Sequence, residues 1–324
     1  MATEIRKQLT RYLTDAHSIE EQSLQQLRSA PEIAGEDALA TALRDHLSET
    51  EGHERRIRAL LEDRGESPSR TKDLVMRAVG SGFVLFARTQ PDTPGKLAAH
   101  ALSYEALEWA SYDLLARTAE RAGEVPVAEA ARAIRDEERA MMNRIEGLFD
   151  RTVEASLREM GSDDLNDHLR AYLADAHAIE AQSIQLLESG QEMVEDHPVL
   201  AALFREHLSQ SRDQQRRLEE RLDAVGGSRS FLKDAVMRIG ALEWGTFFLG
   251  HPDTPGKLAA FAYAFEHLEI GGYEQLRRVA DRAGDRETAN TAMEILGQER
   301  ATAEQLRGAF DEAVSASLEE QGVR

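Results

Sequence analysis

PDTPGKLAA stands at residues 91–99 and again, unchanged, at 252–260. Working outward from that pair, the chain keeps matching itself at nearly one offset. SIEEQSLQQL (18–27) answers AIEAQSIQLL (178–187), and RDHLSE (44–49) answers REHLSQ (205–210). KDLVMRAVG (72–80) answers KDAVMRIGA (233–241). The shift is 160 in the first of these stretches and 161 from the second onward, so one residue was gained between them. A collinear match over a whole half is a duplication, and its period far exceeds the roughly 20–50 residues of stacked solenoid repeats. Two domains are therefore expected, 1–160 and 161–324, meeting near Gly161 to Asp164.

Breakers divide each half into long helical stretches. In the first half, helix A is expected from about Thr3 to Arg28 and helix B from about Asp37 to Arg64. A shorter helix follows from about Lys72 to Arg88, and PDTPG then turns the chain, with Thr93 as cap and Pro94 at the first helical position. Helix C is expected to run to Ala122, before Gly123, and helix D from about Pro126 to Met160. The fold class is all-α. Each half resembles a ferritin-like four-helix bundle, up-down-down-up, with a long B–C crossover that contains the short helix.

Bulk composition narrows the function. The 324 residues include 59 acids against 39 bases, a net charge of −20, with 41% hydrophobic and 30% charged residues. That is a globular composition. A nucleic-acid backbone would be repelled unless a basic patch stood apart, and Arg55-Arg56, Arg216-Arg217 and Arg277-Arg278 are isolated pairs among acids. Metal cations would be attracted, although solubility alone also accounts for the acidity. Cysteine is absent, which excludes disulfides and thiolate chemistry and fits a reducing compartment. No apolar leader is visible in MATEIRKQLT, and the longest apolar run, 82–87, is far short of the about 20 residues that span a bilayer. A cytoplasmic protein is expected, with no membrane partner.

The apolar stripes carry the chemistry. At spacings of three and four, helix A reads Leu9, Tyr12, Leu13, Ala16, Glu20, Leu24, Leu27, and helix B reads Leu39, Ala42, His46, Glu49, His53, Ile57, Leu60. Helix C reads Ala98, Ala101, Glu105, Glu108, Tyr112, Leu115, and helix D reads Val127, Ala131, Ile134, Glu138, Met141, Ile145, Leu148. Every stripe is interrupted near its middle by an acid. An unpaired buried carboxylate costs several kcal/mol or takes up a proton, and several converging in one dry bundle repel one another. A bound cation removes both penalties, and oxygen ligands with some imidazole suit iron or manganese. The alternative for any one such acid is an amphipathic edge position that snorkels to solvent.

Glu20, Glu105 and Glu138 recur as Glu180, Glu266 and Glu299, and Glu108 recurs as Glu269. Glu49 and His53, four apart, can face one ion, but they become Gln210 and Gln214. His46 recurs as His207 and reads as a hydrogen-bonded core histidine that supports the ligands. His17 and His177 read as rim residues, and Glu137, which becomes Gln298, as a solvated position. Tyr12, Tyr112, Tyr172 and Tyr273 read as core, with hydroxyls in reach of carboxylates.

At DAHSIEEQ (15–22), DAHAIEAQ (175–182), HLSET (46–50), EALEWASY (105–112), EHLEIGGY (266–273) and DEERA (136–140), the chain resembles the YciE/YciF-type ferritin-like stress proteins of bacteria. The resemblance implies a di-iron centre and a role in stress response, with Glu20, Glu49, Glu105 and Glu138 as ligands and Glu108 and His53 as additions. Members usually carry one bundle, and this chain carries two. With Gln210 replacing an acid, the second site is expected to be weaker, differently metallated or empty. Two functions follow: a di-iron or di-manganese protein that oxidises Fe(II) or consumes O2 or peroxide, or a metal-free helical interaction module. The two halves are expected to pack as a pseudo-dimer, and homo-oligomers are compatible with the sequence. DNA protection is disfavoured by the charge.

Overall fold

The computed structural model describes residues 2–67, 92–160, 165–227 and 254–323. Among these the chain is helical throughout, without strands. Two units divide it: Met1–Glu159 with Leu318–Arg324, and Met160–Ser317. The expected helix at 72–88 lies outside the described residues.

In the first unit the helices are α1 (Ala2–Leu27), α2 (Ala30–Ile33), α3 (Asp37–Glu62), α4 (Thr93–Ala122), α5 (Val125–Glu146) and α6 (Phe149–Met160). Helices α1, α3, α5 and α4 close a ring in which each packs on the next. Their directions follow from cross-helix pairs. Glu20 and His53 meet between α1 and α3, while His17 meets Glu54. Tyr112 reaches Glu20, and Ser23 reaches Glu108, so α1 and α4 are antiparallel. Glu49 with Arg144 and His53 with Glu137 make α3 and α5 antiparallel. The order is up-down-down-up, which demands a long connection between α3 and α4.

Leucine, alanine, arginine and glutamate dominate these helices, and all four favour helix or tolerate it well. One end of the bundle is dry: Leu9, Leu13, Ile57, Leu61, Leu115 and Ile134 are fully buried with Tyr12 and Tyr112 around them. Each such aliphatic side chain contributes about 1.5–3 kcal/mol on leaving water. Helix α3 is capped by Glu36, whose carboxylate accepts the Leu39 N–H at 2.7 Å and is held by Arg151. Gly123 ends α4 in the left-handed region at φ 71°, a conformation that costs glycine nothing.

Two expectations are corrected. Thr93 is the first helical residue of α4, with Asp92 before it and no side-chain cap. The orphan Gly95 N–H is met instead by Ser156 Oγ at 2.8 Å, from α6, and the same hydroxyl donates to Asp92 O at 3.2 Å. Helix D is divided at Gly147 and Leu148 into α5 and α6.

The second unit repeats the plan with α7 (Leu165–Met193), α8 (Pro198–Ala224), α9 (Thr254–Ala283), α10 (Arg286–Gly308) and α11 (Phe310–Glu320). Helix α7 packs on α8 and α9, and α10 closes the ring against both of those. Gly256 N–H donates to Ser317 Oγ at 2.8 Å, the counterpart of Gly95 and Ser156. No described helix is long and apolar enough to cross a membrane.

Candidate metal centre

Midway along the first bundle, each of its four long helices delivers a buried acid or imidazole to one place. Glu20 comes from α1, His46 and His53 from α3, Glu105 and Glu108 from α4, and Glu138 from α5; none exceeds 2% exposure. These six residues form two groups of ligand atoms, each within 4.8 Å: His46, Glu105, Glu108 and Glu138, and then Glu20, His53 and Glu138; His17, Glu21 and Glu54 form a separate one. Glu138 belongs to both of the first two.

The contacts are close but poorly satisfied. His46 Nε2 lies 2.8 Å from Glu105 Oε2 and 3.3 Å from Glu138 Oε2, and His53 Nδ1 lies 2.8 Å from Glu138 Oε1. None of these atoms has a hydrogen-bond partner in line, and Glu20 Oε2 and Glu108 Oε1 are likewise unsatisfied. Buried polar atoms nearly always find partners. So many orphans around one point fit a cation.

Outer contacts fix the rings. His46 Nδ1 lies 2.9 Å from Glu49 Oε2, and His53 Nε2 lies 2.6 Å from Glu137 Oε2. Arg144 in turn holds Glu49, and Arg56 holds Glu137. An acid on the outer nitrogen orients an imidazole and raises its basicity. Tyr112 donates its phenol proton to Glu20 Oε1 in a short hydrogen bond, and Tyr104 donates to Ile19 O at 3.0 Å.

Without a cation, protons hold the cluster together. Burial raises Glu20 to about 8, which His53 opposes and Glu138 reinforces. Burial likewise lifts Glu105 to about 7 against the pull of His46. Glu108 is driven well above its usual range by burial and then by Glu138, Glu20 and Glu105. For the imidazoles burial acts downward, but Glu105 overrides it at His46, and Glu138 with Glu20 lifts His53 to about 9. Glu138 is the exception: burial pushes it up, yet the two histidines hold it below the ordinary carboxylate range.

The second bundle differs. His207, Glu266, Glu269 and Glu299 form one buried group within 4.8 Å. His207 Nδ1 is 3.1 Å from Glu266 Oε1, and Nε2 is 3.6 Å from Glu299 Oε2. Tyr273 donates to Glu180 as Tyr112 does to Glu20. Gln214 Nε2 donates to Glu299 Oε1 in a short bond and to Gln298 Oε1 at 3.1 Å.

Of the residues singled out from sequence, the structure gathers Glu20, His53, Glu105, Glu108 and Glu138 in one bundle and Glu266, Glu269 and Glu299 in the other. It brings neither Glu49 nor Glu180 into a ligand group: Glu49 is partly exposed and grips His46 from outside. His46 and His207, read as supporting core histidines, stand inside the groups. Glu137, read as solvated, is partly exposed yet holds both His53 and Arg56. His17 is no rim residue, being buried with Nε2 2.9 Å from Glu54 Oε1, and His177 pairs with Glu219 at 3.0 Å.

Fold and site together define a class: a duplicated helical bundle with carboxylates and imidazole converging inside each copy. The chain belongs to the family described as Domain of unknown function (DUF892), which matches it twice, over residues 4–158 and 164–319. No solved structure matches the chain.

Proposed function

We propose that the first unit is a ferritin-like carboxylate centre for two iron or manganese ions, and that it oxidises Fe(II) or consumes O2 or peroxide. The observation that carries this is Glu138, fully buried, common to both ligand groups, with both oxygens unsatisfied. The family match over both halves and the up-down-down-up ring support the ferritin-like assignment. A pair of such ions, when bound, supplies electrons two at a time to oxygen or peroxide and lowers the pKa of bound water.

The chain's own residues do the rest. His46, Glu105 and Glu108 would hold one position, Glu20 and His53 the other, with Glu138 common to both. Glu49 and Glu137 keep the two rings turned with one nitrogen inward. Loading requires Glu20, Glu105 and Glu108 to give up the protons that burial lends them. The dry layer around Ile57, Leu115 and Ile134 excludes water from one end. At the other end a cavity of about 20 Å³, room for one water, reaches Glu105 between Tyr104 and Leu43. A role in stress response, in the cytoplasm, accords with the resemblance and the cysteine-free sequence.

The second reading, a metal-free interaction module, draws on the close His46–Glu105 and His53–Glu138 pairs, which already offset part of the charge. Elemental analysis separates the two. Protein purified under iron or manganese supply should carry metal in the first unit, and Glu138→Gln should strip both positions at once. An unchanged metal content in that variant, or a wild-type chain with none, removes the metal reading.

A further inference from the structure

We infer that the second unit takes a single divalent cation on His207, Glu266, Glu269 and Glu299, and that Gln214 closes the second position which the first unit keeps open. The comparison rests on the metal reading of the first unit, but the ligands named here are the second unit's own.

The case for a cation stands on unsatisfied atoms. His207 Nε2, Glu266 Oε2, both oxygens of Glu269 and Glu299 Oε2 lack a hydrogen-bond partner at good distance and angle, although the Ser183 hydroxyl stands beside Glu269. Each of the four residues is at most 3% exposed. In the first unit two imidazoles stand among the acids. Here one imidazole faces three carboxylates within 4.8 Å, with Glu180 buried nearby. The negative charge awaiting a partner is larger, and burial leaves water unable to supply it.

The case for only one cation stands on Gln214. Its counterpart His53 touches Glu138 and Glu137; Gln214 touches their equivalents, Glu299 and Gln298, through its amide nitrogen. That nitrogen is a donor only and offers no lone pair to a metal; the amide's lone-pair atom, Oε1, is buried without a partner, and it is the nitrogen that faces Glu299. Both its protons are committed, and one of them ties up Glu299 Oε1. Glu138 keeps both oxygens free, whereas Glu299 keeps Oε2 alone. Turning the amide over would set its oxygen against the Glu299 carboxylate. A shared ligand has thus become a one-sided one, and the two units are not two copies of one catalyst.

Manganese(II) alone, added to the full-length, metal-stripped chain, tests this. An isolated Mn(II) gives a six-line electron paramagnetic resonance spectrum, and a coupled pair does not. With the first unit disabled by Glu105→Gln and Glu138→Gln together, one Mn(II) per chain with the six-line signal is expected. Glu266→Gln in that background should abolish it. Adding Gln214→His should raise uptake from one to two and collapse the six lines. Two coupled ions before Gln214→His, or none in a chain whose helicity is intact, overturns the proposal. Uptake still at one after Gln214→His overturns the role given to the amide. Glu266→Gln alone reads the other unit: no Mn(II) there, with one retained in the double variant, sinks the first-unit reading and leaves this one standing.

Discussion

His46 lies inside a buried group and Glu49 outside it, the reverse of the placement that residue type suggests, and helix geometry gives the reason. At about 100° per residue, His53 returns to within about 20° of His46, while Glu49 falls about 60° to one side. The two histidines therefore share the inward face, with ring centroids 6.2 Å apart, and the acid between them lies at the edge, where it meets Arg144. Stripe counting at three and four tolerates that offset, so it marks all three residues without ranking them. The recurrence of His46 as His207, against the loss of Glu49 at Gln210, is the sequence signal that accords with this placement. Glu49→Gln and Glu137→Gln should accordingly leave the number of bound ions unchanged while weakening Mn(II) affinity about 10–100-fold, the usual effect of losing an acid behind a metal-facing imidazole. Calorimetric titration reads this directly. Loss of an ion in Glu49→Gln, instead of loss of affinity, would make Glu49 a ligand after all.

The long helices were legible because their apolar stripes run for many turns and end at glycine or proline. What escaped was contact over distance. The identical PDTPGKLAA segments mark a junction, yet nothing local says that a serine 61 residues away meets the new helix. Ser156 accepts from Gly95 N–H and donates to Asp92 O, so one hydroxyl anchors the first turn of α4, which carries Glu105 and Glu108. The division of helix D leaves α6 as a separate element, and it bears this serine. Ser156→Ala should cost about 1–2 kcal/mol, because a buried backbone donor loses its partner along with one further hydrogen bond. Ser317→Ala should act similarly in the second unit, where Gly256 is the donor. Denaturant melts followed by circular dichroism check both. A change below the precision of such melts in either variant would mean that the junction is held by other contacts.

For the molecule as a whole, the buried acids tie stability to pH, and a cation bound among them would act in the opposite sense. The duplication was plain in the sequence, and so was the surplus of acids, but which of the 59 acids are protonated depends on burial that no sequence pattern states. In the metal-free chain Glu20 and Glu105 titrate at about 8 and about 7 against an ordinary 4.5, and His53 at about 9 against 6.5. Burial lifts Glu180, Glu266 and Glu269 in the same direction in the second unit. Raised values mean that the folded state binds these protons more tightly than the unfolded chain. The carboxyl contribution is complete below about 4.5 and is lost as pH climbs through 7 to 8, and the His53 contribution is complete below about 6.5 and lost toward 9. Glu138 and Glu49 are lowered, so their contributions fail only in acid, outside this window. The stripped protein should therefore melt at progressively lower temperature between about pH 6 and about pH 9. A cation competes with the same protons, so its affinity and the stability it adds grow over that range. Paired melting curves with chelator and with excess Mn(II) should separate more widely at each step upward in pH. A gap that stays constant or narrows would show that the ion binds elsewhere than among these protonated acids.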